Sequence, residues 1–170
     1  MSRRLLLCCL MLLPFLASAQ GGAVSEYGLK AVLLLRLPQF VYWPQSDKPP
    51  TTINLCVQGS NPFGGLLQQV ARSPGVATEI RFLDSGGTYA GCDLLFVSRS
   101  EAAQIDSLLQ RAEGRRLVTV SDIPGFVRAG GMVELVVAGE RIGLILNRHG
   151  AQRRGFDFNA QLLNLAQRVE

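Results

Sequence analysis

The stretch "SDIPGF", Ser121 to Phe126, sets a hydroxyl beside a carboxylate between two strongly β-forming runs. A nucleophilic serine needs a base within hydrogen-bond reach, and His149 is the only histidine in the chain. It lies in the polar stretch "NRHGAQRRG", where a solvated surface histidine is the simpler expectation. A serine or aspartate ahead of Pro124 can instead cap the turn that the proline opens, using only backbone N–H groups two or three residues ahead. Ser121 and Asp122 are therefore expected as turn and cap residues that shape the segment carrying Phe126. That segment is expected to form part of a ligand or partner surface at the strand ends. No catalytic residue is assigned.

A second candidate is "CVQGSNPFGG", a glycine-bearing turn between strand and helix, whose free N–H groups can hold an anion. It lacks the lysine and hydroxyl of a P-loop and the G-x-G-x-x-G spacing, so plain turn chemistry is the simpler reading. Asp84, Asp93 and Asp122 follow no metal or paired-carboxylate spacing, and no metal site or cofactor is expected.

The N-terminus bears on what the cysteines do. Arg3 and Arg4, an apolar run from Leu5 to Leu16 and "ASA" at Ala17–Ala19 have the form of a secretory signal peptide. Cleavage after about Ala19 would export residues 20–170 as one domain; a retained N-terminal anchor is the alternative. Of the four cysteines, Cys56 and Cys92 would remain. In an oxidising compartment an even count reads as one disulfide, with two separate buried thiols as the alternative. Closure of that loop would stabilise the domain by about 3–4 kcal/mol in the chain-entropy picture.

The 170 residues, 48% apolar and 18% charged, are sufficient for one cored domain and exclude a disordered chain. The net charge of +4 owes two of its cations to Arg3 and Arg4, and no basic cluster interleaved with aromatics appears. Nucleic acid is not an expected partner.

The elements that would position these residues alternate. Ser25 to about Tyr42 predicts a helix with a Glu26–Lys30 pair near its start and Pro38 as a kink or break. Leu33, Leu34, Leu35 and Leu37 make it apolar nearly all round. Leu33, Leu34, Leu37 and Phe126 are the expected dimer or partner surface. Ile53–Val57 predicts a strand, followed by a helix capped by Asn61 with Pro62 in its first turn. "VATEIRFL" and Leu94–Val97 predict strands. Ser98 and Glu101 form a capping box for a helix with Ala102, Ile105, Leu108, Leu109 and Ala112 on its apolar stripe. Leu117–Val120 is a short strand, and Met132–Val137 with Ile142–Leu146 a hairpin turned at "AGE". Asn159 caps a last helix in which Leu162, Leu165, Ala166 and Val169 recur. The pattern predicts an α/β fold of three layers: a mostly parallel sheet, helices on both faces, and a C-terminal antiparallel hairpin.

"LVTVSDIPGFVRAGGMVELVVAGERIGLILN" resembles the signature of the YfiR-like family of exported bacterial proteins, which carries "TVSD", "pgF", "GGm" and a late "iN" ahead of "sQLL.LA". Thr119, Val120, Ser121, Asp122, Phe126, Gly130, Gly131, Met132, Asn147 and Gln161–Leu165 carry the likeness. "KAVLLLRLPQFVYWP", "CVQGSNPFG" and "GCDLLFVS" are similar to the family's first helix, first strand and central strand. Pro38 and the single cysteine pair are departures, since some members have two pairs. The resemblance implies a periplasmic, non-enzymatic repressor that binds the periplasmic sensory domain of an inner-membrane diguanylate cyclase, lowering cyclic di-GMP and biofilm formation. It further implies an outer-membrane-associated lipoprotein that sequesters the repressor. A homodimer is expected from the apolar first helix. A periplasmic small-molecule-binding sensor is the alternative reading, ahead of a secreted hydrolase and a structural or assembly protein.

Overall fold

The computed structural model describes residues 25–44, 50–75, 77–139 and 141–170; the signal-peptide expectation lies outside them. A seven-stranded sheet runs in the order β3-β2-β4-β5-β6-β7-β9. Its strands are β2 (Thr52–Gln58), β3 (Ala77–Leu83), β4 (Leu94–Val97), β5 (Val118–Ser121), β6 (Val133–Ala138), β7 (Arg141–Leu146) and β9 (Arg168–Val169). The β3-β2-β4-β5-β6 block is parallel throughout. The β6–β7 hairpin is antiparallel, and β9 returns parallel to β7. A separate two-stranded antiparallel sheet pairs β1 (Val41–Tyr42) with β8 (Asp157–Phe158). The fold is α/β, as the alternation of elements predicts.

Strand alternation builds two cores, because successive side chains point to opposite faces. Leu94 and Phe96 of β4, with Val118 and Val120 of β5, join the core beneath α1 (Glu26–Arg36) and α2 (Leu66–Ala71). Leu95, Val97 and Leu117 face the other way, onto Leu108, Leu109 and Ala112 of α3 (Ile105–Ala112). β4 is buried along its whole length, as a central parallel strand covered on both faces should be.

Several boundaries differ from expectation for local reasons. The first helix ends at Arg36; Pro38 lies in a 3-10 turn, Leu37–Phe40, and the chain then enters β1. Proline cannot donate the hydrogen bond an α-helix would require there. Asn61 does not cap α2. Its Oδ1 accepts from Phe63 N at 2.9 Å and its Nδ2 donates to Gly64 O at 2.9 Å, closing a turn before the helix begins at Leu66. The Ser98–Glu101 box is absent: Ser98 leads a 3-10 segment, Arg99–Gln104, without a side-chain cap, and Ala102 is exposed. The last helix, α5 (Ala160–Leu165), stops short of Val169, which belongs to β9. Asn159 does cap it, accepting from Leu162 N at 2.9 Å. The polar stretch that holds His149 forms a short helix, α4 (Arg148–Arg153), after the hairpin; Asn147 caps it by accepting from Gly150 N at 2.7 Å.

Cys56 in β2 and Cys92 ahead of β4 form a disulfide, with Cα atoms 5.8 Å apart. Arg81 of the neighbouring β3 donates to both sulfurs and to Ala90 O.

Candidate functional site

Strand β5 delivers Ser121 and Asp122 to its C-terminal end, beside the end of β4 and the start of β6. Ser121 is fully buried, and both its hydrogen bonds are to backbone. Its Oγ donates to Val97 O at 2.6 Å and accepts from Ile123 N at 3.0 Å. The hydroxyl thus ties β4 to β5 and closes the turn. A hydrolase would need His149 at that hydroxyl, and His149 is an exposed residue of α4.

Asp122 is more than a turn residue. Its carboxylate turns toward α1 and accepts from Lys30 Nζ at 2.7 Å and from Tyr27 Oη at 2.9 Å, with Arg99 Nε 3.1 Å away. The side chains of Lys30 and Asp122 are both completely excluded from solvent. Lys30 also binds Glu26 one helical turn earlier, and its ammonium lies 4.5 Å from the centre of the Tyr27 ring. Arg99 further donates to Asp122 O at 3.1 Å. Burial, followed by the hydrogen bond to Asp122, raises the Tyr27 phenol to about 12. Tyr27 continues into an edge-to-face aromatic row with Phe63 and Phe96. A charge pair removed from water is costly to separate, because the group left behind is buried and unpaired. The cluster therefore fastens α1 to the Ser-Asp turn.

The rest of the signature stretch completes this framework. Glu134 of β6, almost fully buried, accepts from Gly125 N and Val127 N, each at 3.1 Å. Thr119 Oγ1 accepts from Met132 N at 3.0 Å. Asn147 Nδ2 donates to Gly131 O at 3.2 Å. A Cβ at Gly131 would lie 2.1 Å from the Phe126 ring, so only glycine lets that ring close the second core.

Phe126, Leu34 and Leu37 are buried and present nothing to a partner, contrary to their expected place on a surface. Each fills a core next to the sheet. Leu33 alone of that set is partly accessible. The exposed large apolar side chains include Val32 on α1, Tyr42 on β1 and Phe82 on the edge strand β3. The Gly59 end of the "GSNPFGG" turn is tightly packed: a Cβ at Gly59 would fall within 3 Å of Ser100 and Glu101, and Ser60 N already donates to Ser100 Oγ, whereas Gly64 and Gly65 are exposed.

Open space lies at the opposite, N-terminal end of the parallel strands. One cavity of about 480 Å³ is lined by Arg115 and Arg116, just before β5, and by Arg153 and Arg154 at the end of α4. Another of about 500 Å³ lies between Trp43, Tyr89, Cys92 and Asp93. Among the described residues there is no cluster of histidine, cysteine, aspartate and glutamate that could hold a metal ion. No helix among them is long and apolar enough to cross a membrane.

Sequence reasoning paired Lys30 with Glu26 and missed its second partner. The available signal was a lysine set inside an otherwise apolar helix face, where a cation requires a buried counter-charge.

The sequence profile of the YfiR/HmsC-like family, DUF4154, matches residues 27–167. The chain belongs to the YfiR/HmsC-like family. The match begins at Tyr27 and so takes in the whole charge cluster except Glu26. No curated protein matches the chain. Among solved structures it is similar to a conserved domain protein from Vibrio cholerae O1 biovar El Tor (TM-score 0.62, 12% identity, 86% of this chain and 60% of that one). It is also similar to the ABC domain in complex with L-Trp from Streptococcus pneumoniae (TM-score 0.59, 13% identity, 84% of this chain and 60% of that one). The chain thus spans less than two thirds of the length of either structure. At these identities the likeness concerns the fold alone.

Proposed function

We propose that this YfiR/HmsC-like chain is a periplasmic, non-enzymatic regulator that binds the periplasmic sensory domain of an inner-membrane diguanylate cyclase and represses it. Membership of the family, over residues 27–167, is the observation that carries this reading. The geometry is in keeping with it, since the serine and carboxylates of the signature stretch are engaged in holding the fold. Such a protein acts by binding one state of its partner more tightly than the other. Part-exposed Leu33 and exposed Val32 of α1, with Tyr42 beyond them, are the apolar side chains we assign to contact with the cyclase or with a second copy of the chain. An outer-membrane lipoprotein that sequesters the regulator belongs to the same scheme.

The test is to express the chain with its export signal in cells carrying one such cyclase and to measure cyclic di-GMP. The pool should fall, the chain should crosslink to the cyclase, and Val32→Glu should abolish both while leaving the chain folded. An unchanged pool with no crosslink to the cyclase would refute the reading.

A second reading, a small-molecule sensor, is favoured by the arginine-lined cavity of about 480 Å³. That volume is within the range of about 300–1,000 Å³ usual for ligand pockets.

A further inference from the structure

The cavity between the end of α3 and the end of α4 has an unusual charge balance. Four arginines line it, Arg115 and Arg116 from one segment and Arg153 and Arg154 from the other, against one carboxylate, Glu113. None of the four forms a salt bridge among the described residues, whereas Asp122 and Asp157 both have close cationic partners. Arg115 Nε donates to Arg111 O at 3.0 Å and Arg116 Nη2 to Pro44 O at 2.9 Å, so these guanidiniums are held in place by carbonyls that do not neutralise them. Arg154 is half-buried, and its Nη1 is shielded from solvent without a hydrogen-bond partner. Burial lowers its affinity for a proton; Glu113 opposes that shift and the adjacent Arg153 adds to it. The positions follow from topology. Arg115 and Arg116 precede β5, and α4 follows β7, the strand antiparallel to the block, so both pairs arrive at the same end of the sheet.

Like charges gathered in a concave, partly desolvated site repel one another and raise the local potential for an anion. Guanidinium forks match the oxygens of phosphate and carboxylate groups in pairs. We infer that this cavity is a binding site for a small ligand carrying at least two negative charges on oxyanion groups, with Arg115 and Arg116 on one wall and Arg153 and Arg154 on the other. This deepens the sensor reading of the chain, and a direct binding test keeps it separate from the fate of the repressor reading.

Inorganic pyrophosphate is a suitable probe, titrated calorimetrically into the whole exported chain at low ionic strength. One saturable site is expected, with affinity falling as salt is added. Arg154→Gln should raise Kd by about tenfold or more, the loss of one charge-assisted contact. Arg153→Gln should act in the same direction, and provides the result if Arg154→Gln does not fold by circular dichroism. Arg128→Gln removes one positive charge from an exposed site outside the cavity and should leave Kd unchanged. Absence of saturable binding, or equal weakening by Arg128→Gln and Arg153→Gln, would overturn the proposal.

Discussion

The two ends of the parallel block treat charge in opposite ways. At the C-terminal end, Asp122 and Glu134 are buried and engaged by Lys30, Tyr27 and the amides of Gly125 and Val127. At the N-terminal end, four arginines surround open space and form no salt bridges among the described residues. Ligands in open α/β sheets commonly bind outside the carboxyl ends of the strands. Here that end is closed by its own side chains, and the cavities lie at the other. The contrast separates two uses of charged residues: paired and dry, they fix one conformation; unpaired and accessible, they are available to a ligand.

The comparison is broken most severely at Asp122. Asp122→Ala leaves Lys30 buried without its inner counter-charge and should cost about 3–5 kcal/mol, measured by urea unfolding. A loss below about 1 kcal/mol, the scale of an exposed pair, would show that the cluster does not hold the fold. Next in size is Gly131→Ala, which drives a methyl group into the Phe126 ring. Overpacking of this kind should cost about 1–3 kcal/mol, seen as a lower unfolding midpoint. An unchanged midpoint would mean that the ring has room to move aside.

The pH dependence sharpens the same end. Tyr27 has its folded pKa raised from 10.0 to about 12. A raised folded value means that its contribution to stability is complete below pH 10 and is lost as pH climbs toward 12. Burial also raises the Tyr89 phenol, so ultraviolet titration should show delayed tyrosine ionisation from both, and Tyr27→Phe should remove the step near pH 12. The smallest effect belongs to the other end. Arg153→Gln relieves repulsion within the arginine group and should change stability by no more than about 0.5 kcal/mol, with stabilisation the expected sign. A clear destabilisation would contradict the description of these arginines as unpaired.

Much of the fold could be read from periodicity. Leu94–Val97 announced an apolar strand, which the structure buries along its whole length, and the hairpin around Gly139 follows from two β-forming runs with a short turn. The Cys56–Cys92 bridge followed from the even count of cysteines that remain once the expected signal peptide is set aside. Elements of two residues, β1, β8 and β9, carry no period to detect, and Val169 continued a helical spacing while entering a strand. The leucines of α1 read as surplus apolar surface, because sequence does not reveal that α2 and the sheet strand β7 pack against that helix. The candidate site was half legible. Ser121 and Asp122 stood out by type and neighbours, but the link from Asp122 to α1 spans more than ninety residues in sequence, which no local spacing encodes. The arginine doublets at 115–116 and 153–154 were visible only as scattered charge until topology brought them to one end of the sheet.

The central claim, that the signature end is held by a buried charge pair between α1 and the Ser-Asp turn, is tested most directly by a double-mutant cycle on Lys30 and Asp122. Lys30→Met, Asp122→Leu and the double variant would be compared with the unaltered chain by urea unfolding. Each single change leaves the remaining buried group with only its outer charged partner, Arg99 for Asp122 and Glu26 for Lys30; the double change removes both buried charges. The account predicts a double variant at least as stable as either single one, with a coupling energy on the order of 2–3 kcal/mol. Simple additivity of the two single losses would contradict it.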